Sequence, residues 1–149
     1  MRDRMKSLLA AGLLALVLPA AAMAENSTLV GGYTIHHNAM TTDTLTPQIA
    51  QMYDIKRSAN RGMISITVLE NRPEGQPRAV SADIDVVAAN LTGQTRDIDV
   101  RKVQEGNAIY YIADFPVSNE ETLNFTLKIK PEGVEQPYTA HFSQKFYTR

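Results

Sequence analysis

The sequence predicts an all-β domain, an immunoglobulin-like antiparallel β-sandwich of about seven strands, with a small β-barrel as the alternative. From Gly62 to the end of the chain, apolar and polar side chains alternate with period two, the spacing of strands that bury one face. Turn-forming clusters separate these runs at short intervals, and short links join antiparallel neighbours because a parallel pair needs a long crossover. The chain contains no cysteine, so the fold must rest on apolar burial without covalent staples.

The first element precedes the domain. Arg2, Arg4 and Lys6 stand against one acid, Asp3, and Leu8 to Leu18 carry no charge, which is the order of an export signal. That run is shorter than the roughly 20 apolar residues a membrane span requires. Pro19 and then Ala22-Met23-Ala24 supply the helix break and a small-residue cleavage site. Residues 1–24 are therefore expected to be a cleaved signal peptide, and residues 25–149 one soluble periplasmic domain. No transmembrane segment is expected after cleavage. A lipid anchor is not expected either, for want of a cysteine, and the arginine pair of twin-arginine export is missing. Without the signal's three bases and one acid, the remainder carries 12 bases and 15 acids. This mildly acidic balance gives no footprint for nucleic acid.

A strand is expected at Tyr33 to Ala39. Next, Thr46 can cap a short helix near residues 47–53 that starts on Pro47, with Ile49, Ala50, Met52 and Tyr53 as its apolar face. The polar, basic loop Asp54 to Gly62 follows; there Asn60 is expected to bond its own backbone, and Gly62 to supply a positive φ. The remaining strands are centred on Ile64-Ile66-Val68, Ile84-Val86-Ala88, Ile98-Val100, Ile109-Tyr111-Ala113-Phe115, Leu123-Phe125-Leu127-Ile129 and Tyr138-Ala140-Phe142-Phe146. Each fully buried member is worth about 1.5–3 kcal/mol. Turns are expected at Asn71–Gly75, Leu91–Gly93, Glu105–Asn107, Ser118–Glu120 and Pro131–Gly133.

The catalytic motifs are weak. No Gly-x-Ser-x-Gly elbow frames a serine, so the chain is not expected to be an enzyme and no cofactor is expected. Asp83 with Asp85, and Asp97 with Asp99, each alternate with apolar residues and read as a solvated outer face. Imidazole and thioether together suit copper, so the metal-handling alternative, copper or zinc, rests on His36, His37, Met40 and His141. Adjacent strand residues point to opposite faces, so His36 and His37 cannot chelate one ion on a regular strand. Lys56, Arg57 and Arg61 are candidate anion or carboxylate contacts. Three glycosylation sequons, at Asn26, Asn90 and Asn124, carry no weight in a bacterial exporter.

Several stretches carry a family likeness: Gly32 to Ala39, Leu45-Thr46-Pro47, Tyr53 to Gly62, Asn90 to Gln94 and Ala108 to Val117. In these the chain resembles the domain-of-unknown-function family DUF4426, small exported proteins of Gram-negative bacteria. The Ile-Lys-Arg-Ser-x-x-Arg-Gly run is the most specific part. The resemblance implies a periplasmic location and a single β-rich domain, and it brings no activity. His37 departs from it, standing where the family pattern has a tyrosine. The binding residues to examine are thus His36, Asn38, Lys56, Arg57, Asn60 and Arg61. The reading is a non-catalytic binding or accessory module that meets a protein or envelope component through Thr41 to Gly62, with an exposed sheet edge as a second contact surface.

Overall fold

The computed structural model describes residues 26–149; the expected signal peptide, residues 1–24, lies outside the described residues. Ten strands form two antiparallel sheets. They are β1 (Ser27–Val30), β2 (Tyr33–Thr41), β3 (Arg61–Glu70), β4 (Arg78–Ala79), β5 (Ala82–Ala89), β6 (Thr95–Ile98), β7 (Arg101–Glu105), β8 (Ala108–Pro116), β9 (Glu121–Pro131) and β10 (Tyr138–Phe146). One sheet runs β1-β2-β3-β8-β7 with β4 beside β3, and the other β10-β9-β5-β6. Among the described residues neither sheet closes into a barrel. The order β2-β3-β8-β7 facing β10-β9-β5 is that of the ABED and GFC sheets of an immunoglobulin-type sandwich. Among the described residues no helix is long and apolar enough to cross a membrane.

The alternating side chains meet between the sheets. Ile35, Ile64, Ile66 and Val68 from one sheet pack with Phe125, Leu127, Ile129 and Ala140 from the other, all buried. In place of a disulfide, aromatic rings bridge the layers. Phe115 of β8 lies 5.8 Å from Phe125 of β9, and Phe125 stacks at 4.8 Å on Phe142 of β10.

Gly62 has no positive φ. It is required for space, since a Cβ there would come within 2.8 Å of Phe115 and 2.9 Å of Phe146. The expected turns do carry left-handed residues, at Gly75, Gly93, Gly106, Glu120 and Gly133. The strand expected around Ile98 and Val100 is in fact a corner. β6 ends at Ile98 in one sheet and β7 begins at Arg101 in the other. Ile98 and Val100 stay on the core side throughout, so the period survives the change of sheet.

The helix α1 (Pro47–Met52) forms as its cap requires: the Thr46 hydroxyl accepts from the Ile49 amide at 3.2 Å. Its apolar face differs from the expected one. Ala50 is buried and Tyr53 half-buried, whereas Ile49 and Met52 face water.

Candidate functional site

The stretch from Thr42 to Asn60 folds over the outer face of the β2-β3-β8-β7 sheet and seals a second apolar cluster there. Ile55 is buried with Met63 of β3 and Ile112 of β8, and Met40, Leu45, Tyr53, Val103 and Tyr110 pack around them. These strand positions are the outward ones, so without the cap their side chains would face water.

Polar bonds hold the cap down. The fully buried Thr42 hydroxyl shares its proton between the Lys56 carbonyl at 2.8 Å and the Ser58 carbonyl at 3.1 Å, and accepts from the Ser58 amide at 2.8 Å. Arg57 donates to the Leu45 carbonyl at 2.7 Å and the Asp43 carbonyl at 3.1 Å. Arg61 pairs with Asp114, its Nε 2.9 Å and its Nη2 2.8 Å from one carboxylate oxygen. The Asn60 side chain is not the turn-former; the Ser58 hydroxyl accepts from the Asn60 amide, and the Asn60 carbonyl accepts from Val117. On the far side the Arg101 guanidinium donates to the Tyr53 carbonyl. The Tyr53 hydroxyl bonds Glu105, and this, with some burial and the carboxylate charge, pushes its pKa up to about 12.

The candidate residues thus fall into two groups. Lys56, Arg57 and Asn60 share the cap's last loop, and Arg61 follows it as the first residue of β3. His36 and Asn38 lie on the uncapped outer face of β2 across from Thr67 and Ser65, in a polar depression of about 250 Å³. Since Thr41 pairs with Gly62 and His36 with Thr67, His36 and Arg61 are about 20 Å apart along the strands. They do not converge.

The metal candidates scatter as well. His36 is exposed on the outer face of β2, and His37 points into the sandwich. His141 is exposed on β10, with Nδ1 3.3 Å from the Thr126 hydroxyl. Met40 lies opposite Met63 under the cap. Among the described residues no three histidines or carboxylates gather into a metal-sized group.

His37 is the unusual buried polar residue, 3% exposed. Its ring stacks at 4.4 Å on Phe142, Nε2 lies 3.0 Å from the Thr28 hydroxyl of β1, and Nδ1 has no hydrogen-bond partner among the described residues. Burial is the main cause that holds its pKa below the ordinary 6.5, and the neighbouring His36 adds to it. The unfolded chain therefore takes up this proton first as pH falls, so the contribution of His37 to stability drops through the window below 6.5 and is level above it. The fall in thermal midpoint between pH 7.5 and pH 5.5 is expected to be smaller in His37→Phe than in wild type; equal falls would remove His37 from the account.

The sequence offered no sign of a groove of about 1030 Å³ between the sheets, beside Ala82 to Asp85, Val100 and Tyr111. It exists because the chain changes sheet after Ile98, leaving the first half of β5 without a neighbour on one side.

A two-sheet β-sandwich with a strapped-down cap over one outer face is the class of protein this architecture defines. Residues 27–149 match the model of the family described as Domain of unknown function (DUF4426), and the chain belongs to that family. A crystal structure of a DUF4426 family protein from Pseudomonas aeruginosa PAO1 is 32% identical, with a TM-score of 0.68 over 81% of this chain and 93% of that one. FetP of uropathogenic Escherichia coli strain F11, as isolated after recombinant expression in the periplasm, shares the fold at 10% identity, with a TM-score of 0.58 over 81% and 92% of the two chains. A copper-bound FetP variant does so at 9% identity, with a TM-score of 0.53 over 83% and 90%. No curated protein matches the chain.

Proposed function

We propose that the protein is a non-catalytic periplasmic binding module that engages a protein or envelope partner through its cap. The observation that carries this reading is that α1 turns Ile49, 40% exposed, and Met52, 66% exposed, to the solvent on a segment otherwise fastened to the sheet. Three residues apart, they share one helix face, with the exposed Lys56 on the same cap. Apolar anchors on a rigid support lose little freedom on binding, which favours contact. The export signal read from the sequence and the periplasmic expression of the FetP neighbour support the location. The copper of the FetP variant is not carried over, because that likeness is one of fold and the histidines here stand on three surfaces.

Arg57 and Arg61 are poor test positions, since both fasten the cap. The double variant Ile49→Asp with Met52→Asp is the informative one. Both side chains already face water, so its thermal midpoint is expected to stay within a few degrees of wild type. Capture of a partner from periplasmic extract by the tagged protein is expected to fall at least tenfold. Undiminished capture would move the contact off the cap.

A further inference from the structure

We propose a second binding surface, independent of the cap: the open half of β5 is a docking edge for an extended peptide carrying basic side chains, which adds as a strand. β6 pairs with β5 only from Val86 to Ala89, whereas β9 pairs along all of it, from Ala82 to Ala89. Among the described residues, Ala82 to Asp85, about 13 Å of strand, thus have a neighbour on one side only.

Pro131 fixes which backbone groups face the open side. Ala82 lies opposite Pro131, and proline has no N–H to donate, so this pair cannot be one that exchanges two hydrogen bonds. The exchanging pairs with β9 are then the alternate ones, such as Asp83 with Lys130, and the main-chain groups of Ala82 and Ile84 point away from β9. Two contacts agree: the Ala82 amide donates to the Tyr111 hydroxyl at 2.9 Å, and the Ser81 carbonyl accepts from Glu132 on the β9 side. Left facing the groove are the Ile84 amide, the Ile84 carbonyl and the Ala82 carbonyl. An added antiparallel strand would meet all three, exchanging two bonds with Ile84 and donating one to Ala82.

The same register determines the side chains of the occupant. A residue opposite Ile84 points the way Ile84 does, into the groove toward Val100 and Tyr111, so it is apolar. Its two neighbours lie on the outer face beside Asp83 and Asp85, near Asp97 and Asp99 of the adjoining depression. Across the groove and that depression, six carboxylates line the surface against two lysines; Lys130 and Lys128 of β9 stand opposite Asp83 and Asp85 and Lys102 is bonded to the Ser81 hydroxyl at 2.7 Å, so the excess of negative charge rests on Asp97, Asp99, Glu132 and Glu135. The occupant therefore alternates basic and apolar residues.

The test is fluorescence anisotropy of the mature protein with a labelled Lys-Val-Lys-Val-Lys peptide. Binding is expected, and methylation of both valine amides, which removes the donors to the Ile84 and Ala82 carbonyls in either register, is expected to weaken it at least tenfold. The Glu-Val-Glu-Val-Glu counterpart is expected not to bind. Ile84→Pro deletes an amide that makes no ladder bond, so the variant is expected to fold and lose the peptide; if it fails to fold, the methylated peptide on the wild-type protein still decides. No binding of the basic peptide at millimolar concentration, equal binding of the methylated one, or a concentration-dependent dimer that the peptide does not dissociate would overturn the proposal. The Ile49→Asp, Met52→Asp variant is expected to bind the peptide as wild type does, so this surface and the cap fail or succeed separately.

Discussion

Phe125→Ala is expected to lower the free energy of unfolding by about 3–5 kcal/mol, read from the denaturant midpoint at constant slope. Phe125 is 1% exposed on β9, which lies between β5 and β10 in its sheet. Truncation deletes apolar surface and leaves a void that strands on both sides hold open. It also removes the ring on which Phe142 stacks, and Phe142 is the ring that supports His37. The loss would spread from the middle of one sheet to β2 in the other. A domain of this size has about 5–15 kcal/mol in total, so the loss consumes a large share of its stability. Phe125→Leu, which refills most of the space, is expected to lose less than half as much. Equal losses in the two variants would indicate that the void is not what destabilises the protein.

Thr42→Val is expected to cost about 2–3 kcal/mol although it preserves shape. The hydroxyl is inaccessible to water, and it serves two carbonyls and one amide of the 56–58 loop. Its removal takes from the Lys56 carbonyl and the Ser58 amide the partner they have in the cap, while the Ser58 carbonyl keeps its bond from the Arg61 amide, and an unsatisfied buried group costs about 1–3 kcal/mol. The damage is expected to concentrate in the cap: amide exchange should quicken at Ile55 and Ser58 more than at Ile64 or Leu127. Uniform acceleration across the core would mean the cap has no stability of its own to lose.

Much of this architecture was legible in the sequence. Strands that bury one face write their period into the chain, so Ile64-Ile66-Val68 and Leu123-Phe125-Leu127-Ile129 declared themselves. Glycines at turns did so too, as did the Thr46-Pro47 start of α1. The corner at Asp99 was hidden because Ile98 and Val100 keep facing the core while the chain leaves one sheet for the other. β1 escaped because four residues with Leu29 turned outward make no pattern. Gly62 was visible as special, but its reason was not: the rings of Phe115 and Phe146 that exclude a side chain there come from distant parts of the chain.

The site was less legible than the fold. A charged head on a polar loop looks the same in sequence whether it reaches solvent or a carbonyl three ångströms away. Arg57 and Arg61 reach inward, to main-chain oxygens of Leu45 and Asp43 and to Asp114, and nothing local announces those partners. Thr42 carries the cap's main latch with no motif around it. The separation of His36 and His37 onto opposite faces followed directly from strand geometry. The depth of His37 did not, because it depends on Phe142, more than a hundred residues away, as well as on the β1 threonine that bonds it.

The run from Ile55 to Gly62, by which the chain most specifically resembles its family, consists here largely of fasteners. Ile55 fills the cluster under the cap, Arg57 and Arg61 bind it to the frame, Ser58 takes up the latch, and Gly62 makes room for two rings. A pattern built on those residues sorts proteins by how they are assembled and is silent on what they hold. A protein recognised by it is recognised by the way its cap is fastened down.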